Sequence, residues 1–345
     1  MSLVHLLGEK SNKTMFTTPS HGQKFFIYDQ LKEMYKLDIS ETDCHDPQEA
    51  LERAQTWARS IYQTRSTTFL TNGSTSGILA AVLSCTQVGD KVLIASNSHP
   101  CHFNAVRLAG ARALTFDLKI DEEWGVPLEV NPEVIDYYLS RYNIRTVIIT
   151  SPTYEGIISD IEEIKAICER HEAFLIVDEA HGALYPFSDE LPLSAVNIAD
   201  FTVQSLHKTA GGLNPTALLH STVDIDVRPA LSMFMTTSPS YPLLASIEAN
   251  IMYLDSRDGR KEIHNLISRL DKIREKCKGC EFFGDDPTKV LVKAPGITGY
   301  ELSEMLYEEF NIEDERTNEK STMLLCGIGT DTKKLDLLQK VLTKL

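Results

Sequence analysis

The sequence predicts an α/β protein: a large, mostly parallel sheet covered by helices on both faces, followed by a smaller α+β unit. Three observations carry this. Short apolar runs of strand length alternate with helical patterns over residues 47–220. Runs such as Thr146-Val147-Ile148-Ile149-Thr150 are apolar almost throughout, as in strands buried on both faces. The length, 345 residues, is long for one simple core and suits a large domain plus a smaller one.

In chain order, residues 1–30 lack sustained periodicity and read as an N-terminal arm lying on another surface. Pro47 can start a helix over residues 47–64, where Leu51, Ala54, Ala58 and Ile61 recur at helical spacing. A short strand at Thr68–Thr71 leads through the polar turn Asn72-Gly73-Ser74-Thr75-Ser76-Gly77 to a helical run from Ile78 to Cys85. The spacing then predicts a strand at Lys91–Ala95, a helix at His99–Leu108, a strand at Ala113–Phe116 and a helix at Asn131–Tyr142. The alternation continues with a strand at Thr146–Thr150, a helix at Ile161–His171 and a strand at Phe174–Val177. Phe201–Gln204 and Ala217–His220 add two strands. Tyr241 to Lys276 is a long helical pattern, interrupted near Asp258-Gly259. The tail carries strands near Lys289–Lys293 and Met323–Cys326 and helices near Tyr300–Phe310 and Lys333–Leu345. The expected domains are the arm over 1–30, a large domain over 31–250, and an interdomain helix with a small C-terminal domain over 251–345.

Composition narrows the function. Hydrophobic residues at 42% and charged residues at 24% are ordinary for a soluble globular enzyme. A net charge of −15 repels phosphate backbones and argues against a nucleic-acid partner. No apolar stretch reaches the length of a membrane span, and the start lacks the basic and apolar regions of a signal peptide. The seven cysteines are an odd, scattered set, which fits reduced thiols in a cytoplasm. Cys277-Lys278-Gly279-Cys280 lacks a second ligand pair at zinc spacing and reads as a surface turn with two thiols. No metal is expected.

Polar clusters fall at the carboxyl ends of the predicted strands, where open α/β sheets bind ligands. Ser205-Leu206-His207-Lys208-Thr209 follows the run Phe201-Thr202-Val203, and Asp178-Glu179-Ala180-His181-Gly182 closes Phe174–Val177. An acid ending one strand and a lysine ending another are the two handles that pyridoxal phosphate needs. The lysine forms the imine, and the acid keeps the ring nitrogen protonated. His207 and Ser205 would cluster with Lys208 around a phosphate or phenolate oxygen. The Asn72–Gly77 turn offers glycines, the hydroxyls of Ser74, Thr75 and Ser76, and a helix N-terminus, all suited to phosphate, though such turns also serve as plain N-caps. His99, in Asn97-Ser98-His99-Pro100-Cys101-His102, can stack on a flat ring; a zinc site from His99, Cys101 and His102 is the alternative. Asp178-Glu179-Ala180-His181 is also the Walker B string of DEAH-box helicases, but no GxxxxGK[ST] loop precedes it.

With these pieces in place, the chain resembles the fold-type I pyridoxal-phosphate enzymes, and more narrowly the bacterial ornithine/lysine/arginine decarboxylase family. The matching strings are Thr18-Pro19-Ser20-His21, Thr71-Asn72-Gly73-Ser74-Thr75-Ser76, Asn97-Ser98-His99, Ser151-Pro152-Thr153-Tyr154-Glu155-Gly156, Val177–Gly182, Gln204–Thr209 and Thr237-Ser238-Pro239-Ser240-Tyr241. The tail string Leu324–Thr330 resembles that family's small domain. The resemblance implies a fold-type I architecture and decarboxylation of lysine, ornithine or arginine with pyridoxal 5'-phosphate. Lys208 would be the Schiff-base lysine, Asp178 the partner of the pyridine nitrogen and His99 the ring-stacking residue. Ser74, Thr75, Ser205 and His207 would hold the phosphate, with Ser76 and His181 among the cofactor-binding residues and Ala180 under the ring. The family's homodimers share active sites, so Ser238 would reach the partner's phosphate and the Thr18–Gly22 arm would border the site. Two strings depart from the family: His99-Pro100-Cys101 stands for His-Lys-Ser, and Glu155 for the aspartate of Thr-Tyr-Asp-Gly. An aminotransferase or lyase, with Arg316 as a carboxylate-binding candidate, and a non-catalytic cofactor-binding relative are the alternatives.

Overall fold

The computed structural model describes residues 14–16 and 49–345. Its large sheet has seven strands: β1 (Ser66–Leu70), β2 (Lys91–Ala95), β3 (Arg112–Phe116), β4 (Thr146–Thr150), β5 (Phe174–Asp178), β6 (Phe201–Ser205) and β7 (Ala217–Ser221). They lie in the order β1-β7-β6-β5-β4-β2-β3. Neighbours from β6 to β3 are parallel, and β7 is antiparallel to both β6 and β1.

Successive strand residues point to opposite faces, so the apolar runs feed two cores. Val92, Ile94, Ile148 and Ile176 enter the core that holds Ile78 and Val82 of helix α2 (Ser74–Cys85) and Ala58 of α1 (Glu49–Tyr62). Leu93, Val147, Ile149, Leu175 and Val177 enter the other core, with Ile135 of α4 (Pro132–Arg141) and Ile164 of α5 (Ile161–Arg170). Helix α3 (Pro100–Leu108) packs with α2 on the first face. Caps set the boundaries: Asn131 Oδ1 accepts from the Glu133 amide and Asp160 Oδ1 from the Glu163 amide, both at 2.9 Å. Each such cap contributes about 1 kcal/mol.

A corner at Ser256 joins α6 (Tyr241–Asp255) to α7 (Arg257–Lys276). Helix α7 bridges two cores: Ile263 and Ile267 pack with the large sheet, Leu266, Leu270 and Ile273 with the small one. The small sheet is antiparallel, in the order β8 (Glu281–Phe283), β9 (Lys289–Lys293), β11 (Thr322–Leu325), β10 (Arg316–Thr317). Helices α8 (Gly299–Phe310) and α9 (Thr332–Leu342) cover it with Leu302, Leu306, Leu335 and Leu338. Thr14–Met15 pairs with Ile312–Glu313, and Phe16 is buried in this small core. Thr18–Gly22 and Pro47 lie outside the described residues.

Three expectations change. Helix α2 begins at Ser74 rather than Ile78, because Ser74, Thr75 and Ser76 form its first turn; residues of this kind favour turns by propensity and mask a helix start. Lys208 stands on a one-turn helix, Leu206–Thr209, beyond the end of β6. The Cys277–Cys280 turn is not a surface feature. Both thiols are buried, with Cys280 Sγ 3.5 Å from the Leu342 carbonyl, because the last turn of α9 covers them.

Candidate active site

The carboxyl ends of β2, β4 and β5 (Ala95, Thr150 and Asp178) open into one cavity of about 770 Å³. Ser74 and Thr75 reach it from the start of α2, and His99 from the start of α3. His207 and Lys208 arrive from the helix after β6, and Ala180 and His181 from the turn after β5. The parallel register of β4, β5 and β6 brings these turns to the same edge of the sheet.

Asp178 is buried, and burial alone would raise its pKa. His102 Nε2, 2.9 Å from Oδ2, the charge of Lys208, and the Ala180 amide, which donates to Oδ1 at 3.1 Å, more than offset this and hold the carboxyl below the usual range. Lys208 responds in the opposite sense. Burial pushes its amine below the ordinary lysine range, Asp178 opposes this, and the charge of Lys289 adds to it. Its Nζ lies 3.0 Å from His181 Nε2. Burial, followed by the charges of Lys208 and Lys289, holds His181 well below the usual histidine range, so that imidazole is neutral. His99 is also pushed down, by burial first, and its Nδ1 accepts from the Cys101 amide at 3.2 Å as the N-cap of α3.

The phosphate-like end of the cavity is built from backbone. Gly73 is the N-cap of α2 at φ +86°, a conformation glycine adopts without strain, and no side chain caps the helix. The Ser76 amide donates to the Gly73 carbonyl at 3.2 Å, which leaves the Ser74 and Thr75 amides and the partial positive charge of the helix start available. Ser76 faces away: its hydroxyl donates to Asn72 Oδ1 and the Gly73 carbonyl, both at 2.8 Å, and builds the turn. Ser205 is fully buried at the end of β6. His207 Nδ1–H donates to the Thr216 carbonyl at 3.1 Å. Ser238 is exposed, 3.2 Å from the Thr236 hydroxyl, and does not line the cavity. His102 engages Asp178 while His99 caps α3, so the histidines of the zinc alternative have separate duties.

The donor set fits pyridoxal phosphate. A buried carboxylate, a depressed amine and an uncapped helix N-terminus meet in one cavity. Among the described residues, Thr150 Oγ1 and His181 Nδ1 of its lining and Ser205 Oγ nearby are buried without a partner. Buried polar atoms in that state call for a ligand or water.

The family profile described as Orn/Lys/Arg decarboxylase, major domain, matches residues 7–288. The chain belongs to this family. An arginine decarboxylase of Halalkalibacterium halodurans is 29% identical to it, over 97% of this chain and 74% of that protein. An arginine decarboxylase of Bacillus subtilis is 30% identical, over 88% of this chain and 66% of the relative. The solved constitutive lysine decarboxylase of Escherichia coli superposes with a TM-score of 0.79 at 19% identity, over 90% of this chain and 54% of that one. The chain thus spans about half the length of that solved structure. Its fold is that of the fold-type I pyridoxal-phosphate enzymes.

In this decarboxylase-family fold, His102 and Cys101, which the sequence offered only as zinc ligands, and Arg316, offered as a carboxylate-binding candidate, take definite places. His102, the partner of Asp178, sits one helical turn after His99. Cys101 also lines the cavity; burial, with the nearby charge of Asp178, pushes its thiol up to about 12. Arg316 comes from the edge of the small sheet. Its Nε is 3.3 Å from Glu155 Oε1, and its guanidinium lies 4.9 Å from the centre of the Tyr154 ring. Tyr154 in turn donates to Glu315 and meets the His181 ring edge-on.

Proposed function

We propose that the chain decarboxylates a basic amino acid, lysine, ornithine or arginine, with pyridoxal 5'-phosphate. The convergence of Asp178, Lys208 and the open start of α2 on one cavity carries this reading. Lys208 would hold the cofactor's aldehyde carbon and Asp178 its ring nitrogen. Ser74, Thr75 and the first amides of α2 would hold the phosphate, with Ser205 and His207 supporting that end. His99 and Ala180 would border the ring. When bound, the cofactor supplies an electron sink for the carbon that loses carbon dioxide.

The chain's own residues do the rest. Asp178, kept anionic by His102, stabilises a positive charge on the group it faces. Lys208, its amine held below the ordinary lysine range, is available as a nucleophile and afterwards as a proton carrier. His181 holds that amine in place and, being neutral itself, does not repel it. The burial of Asp178 and partial burial of Lys208 limit water around these groups and strengthen the Asp178 charge.

Arg316 favours a second reading. A guanidinium in the cavity wall can pair with a substrate carboxylate, as transamination requires. Carbon dioxide release from lysine, ornithine and arginine in the presence of pyridoxal phosphate separates the two. Release that disappears in Lys208→Ala supports decarboxylation. Amino transfer to a keto acid without release favours the second reading.

We also propose a homodimer in which Ser238, exposed and outside its own cavity, serves the phosphate site of a second copy. No helix among the described residues is long and apolar enough to cross a membrane. The six described cysteines are unpaired and buried, which supports a reducing, cytoplasmic setting.

A further inference from the structure

Lys289, at the start of β9, and Asp286 form an ion pair at 3.1 Å in which both side chains are 0% exposed. Desolvation makes such a pair weak evidence for stability, so its other contacts matter more. Lys289 Nζ donates to the main-chain carbonyl of His181 at 3.3 Å. Asp286 accepts from the Tyr185 hydroxyl at 2.7 Å and from the Thr288 amide and hydroxyl at 2.8 and 2.7 Å. The backbone around the pair is pinned too. The amides of Asp285 and Asp286 donate to the Gly156 carbonyl, and at Gly156 (φ +95°) an added Cβ would stand 2.8 Å from Lys289 Cγ.

A continuous path therefore runs from Asp286 through Lys289 and the backbone of His181 to the amine of Lys208. The groups facing that amine are Asp178 and His181 from β5 and its turn, Cys101 from α3, Lys289 from β9 and Glu315 beside β10; His207 adjoins it in the chain. Lys289 is itself faced by Asp286, Thr288, Tyr185 through Asp286, and the His181 carbonyl.

We propose that Lys289 is a positioning residue for Lys208: it fixes the main chain of His181, which holds the amine, and sets a second positive charge beside it. A like charge disfavours protonation, so the small sheet helps to hold the amine below the ordinary lysine range. The inference rests on reading Lys208 as the reactive amine.

Competitive labelling of the cofactor-free protein tests it. Trace acetic anhydride is applied across a pH series, and label on the Lys208 peptide is quantified by mass spectrometry. Lys289→Met is expected to move the Lys208 midpoint to higher pH and to slow its labelling severalfold at neutral pH. The double variant Lys289→Met/Asp286→Asn, which leaves no buried unpaired carboxylate, is expected to shift it the same way. Tyr185→Phe removes a hydrogen bond but no charge; it should lower stability and leave the midpoint in place. An unchanged midpoint in either folded Lys289 variant overturns the proposal, as does failure of both to fold, since the pair would then be purely structural. A wild-type midpoint in the ordinary lysine range overturns instead the reading of Lys208 as the active amine.

Discussion

Asp178 is buried and Lys208 partly buried, and burial works against the charged form of each. Asp178 keeps its charge because His102, the Ala180 amide and Lys208 surround it. Lys208 is left with a depressed amine although Asp178 opposes the shift. The two thus sit in opposite protonation biases within one cavity, as an acid partner and a nucleophile need. Asp178→Asn keeps the size and removes the charge. Carbon dioxide release from the preferred substrate should then fall roughly 10- to 1,000-fold, the range spanned by one neighbouring charge, with an unchanged circular dichroism spectrum. Lys208, Asp178 and His99 were legible because each stands in a compact string at a strand end. In the sequence, His102 and Arg316 stood only as a zinc-ligand alternative and a carboxylate-binding candidate, and Lys289 did not stand out at all, because their contacts join segments far apart in the chain.

At the scale of elements, two features make predictions. The corner between α6 and α7 requires glycine at 259, where an added Cβ would meet the Tyr253 carbonyl oxygen at 2.0 Å. Gly259→Ala should destabilise the fold by at least roughly 1–3 kcal/mol in urea denaturation, the usual cost of overpacking. The sequence pattern showed the interruption here, but it could not tell the corner at Ser256 from the glycine that permits it. Beneath the site, Glu179 accepts from the Ala195 amide, the Ser194 hydroxyl and Gln204 Nε2, and Gln204 Oε1 lies 3.3 Å from His220 Nε2. Burial, partly offset by these donors, pushes Glu179 from 4.5 up to about 7, and burial pulls His220 from 6.5 down to about 3. Between pH 4.5 and 6.5 the folded state keeps the Glu179 proton that the unfolded chain releases, so this term weakens the fold as pH rises. His220 does the reverse, because the unfolded chain takes up a proton that the folded state refuses. The two cancel over that window. Glu179→Gln should unmask His220, so that stability measured by urea melts falls from about pH 6.5 to about pH 4.5 more steeply than in the wild type.

At the scale of the molecule, the cavity lies where two cores meet. The large sheet supplies Asp178 and the turns at strand ends, and the small sheet supplies Arg316 and the buried Lys289. Alternating apolar runs made the large sheet and its layering legible in the sequence, since strands buried on both faces leave continuous apolar strings. The small sheet was only half visible: β8 and β10 span three and two residues, too short for periodicity to register. Ligand linkage joins the two units. Pyridoxal phosphate at about 100 times its dissociation constant should add about 2.7 kcal/mol to the folded state and raise the melting temperature by several degrees. In Lys208→Ala the rise should be markedly smaller, as differential scanning fluorimetry can show.

The most direct measurement is borohydride reduction of the protein loaded with pyridoxal phosphate, followed by digestion and peptide mass spectrometry. The account predicts a pyridoxyl adduct on Lys208 that is lost in Lys208→Ala. An adduct on another lysine, or none at all, would contradict it.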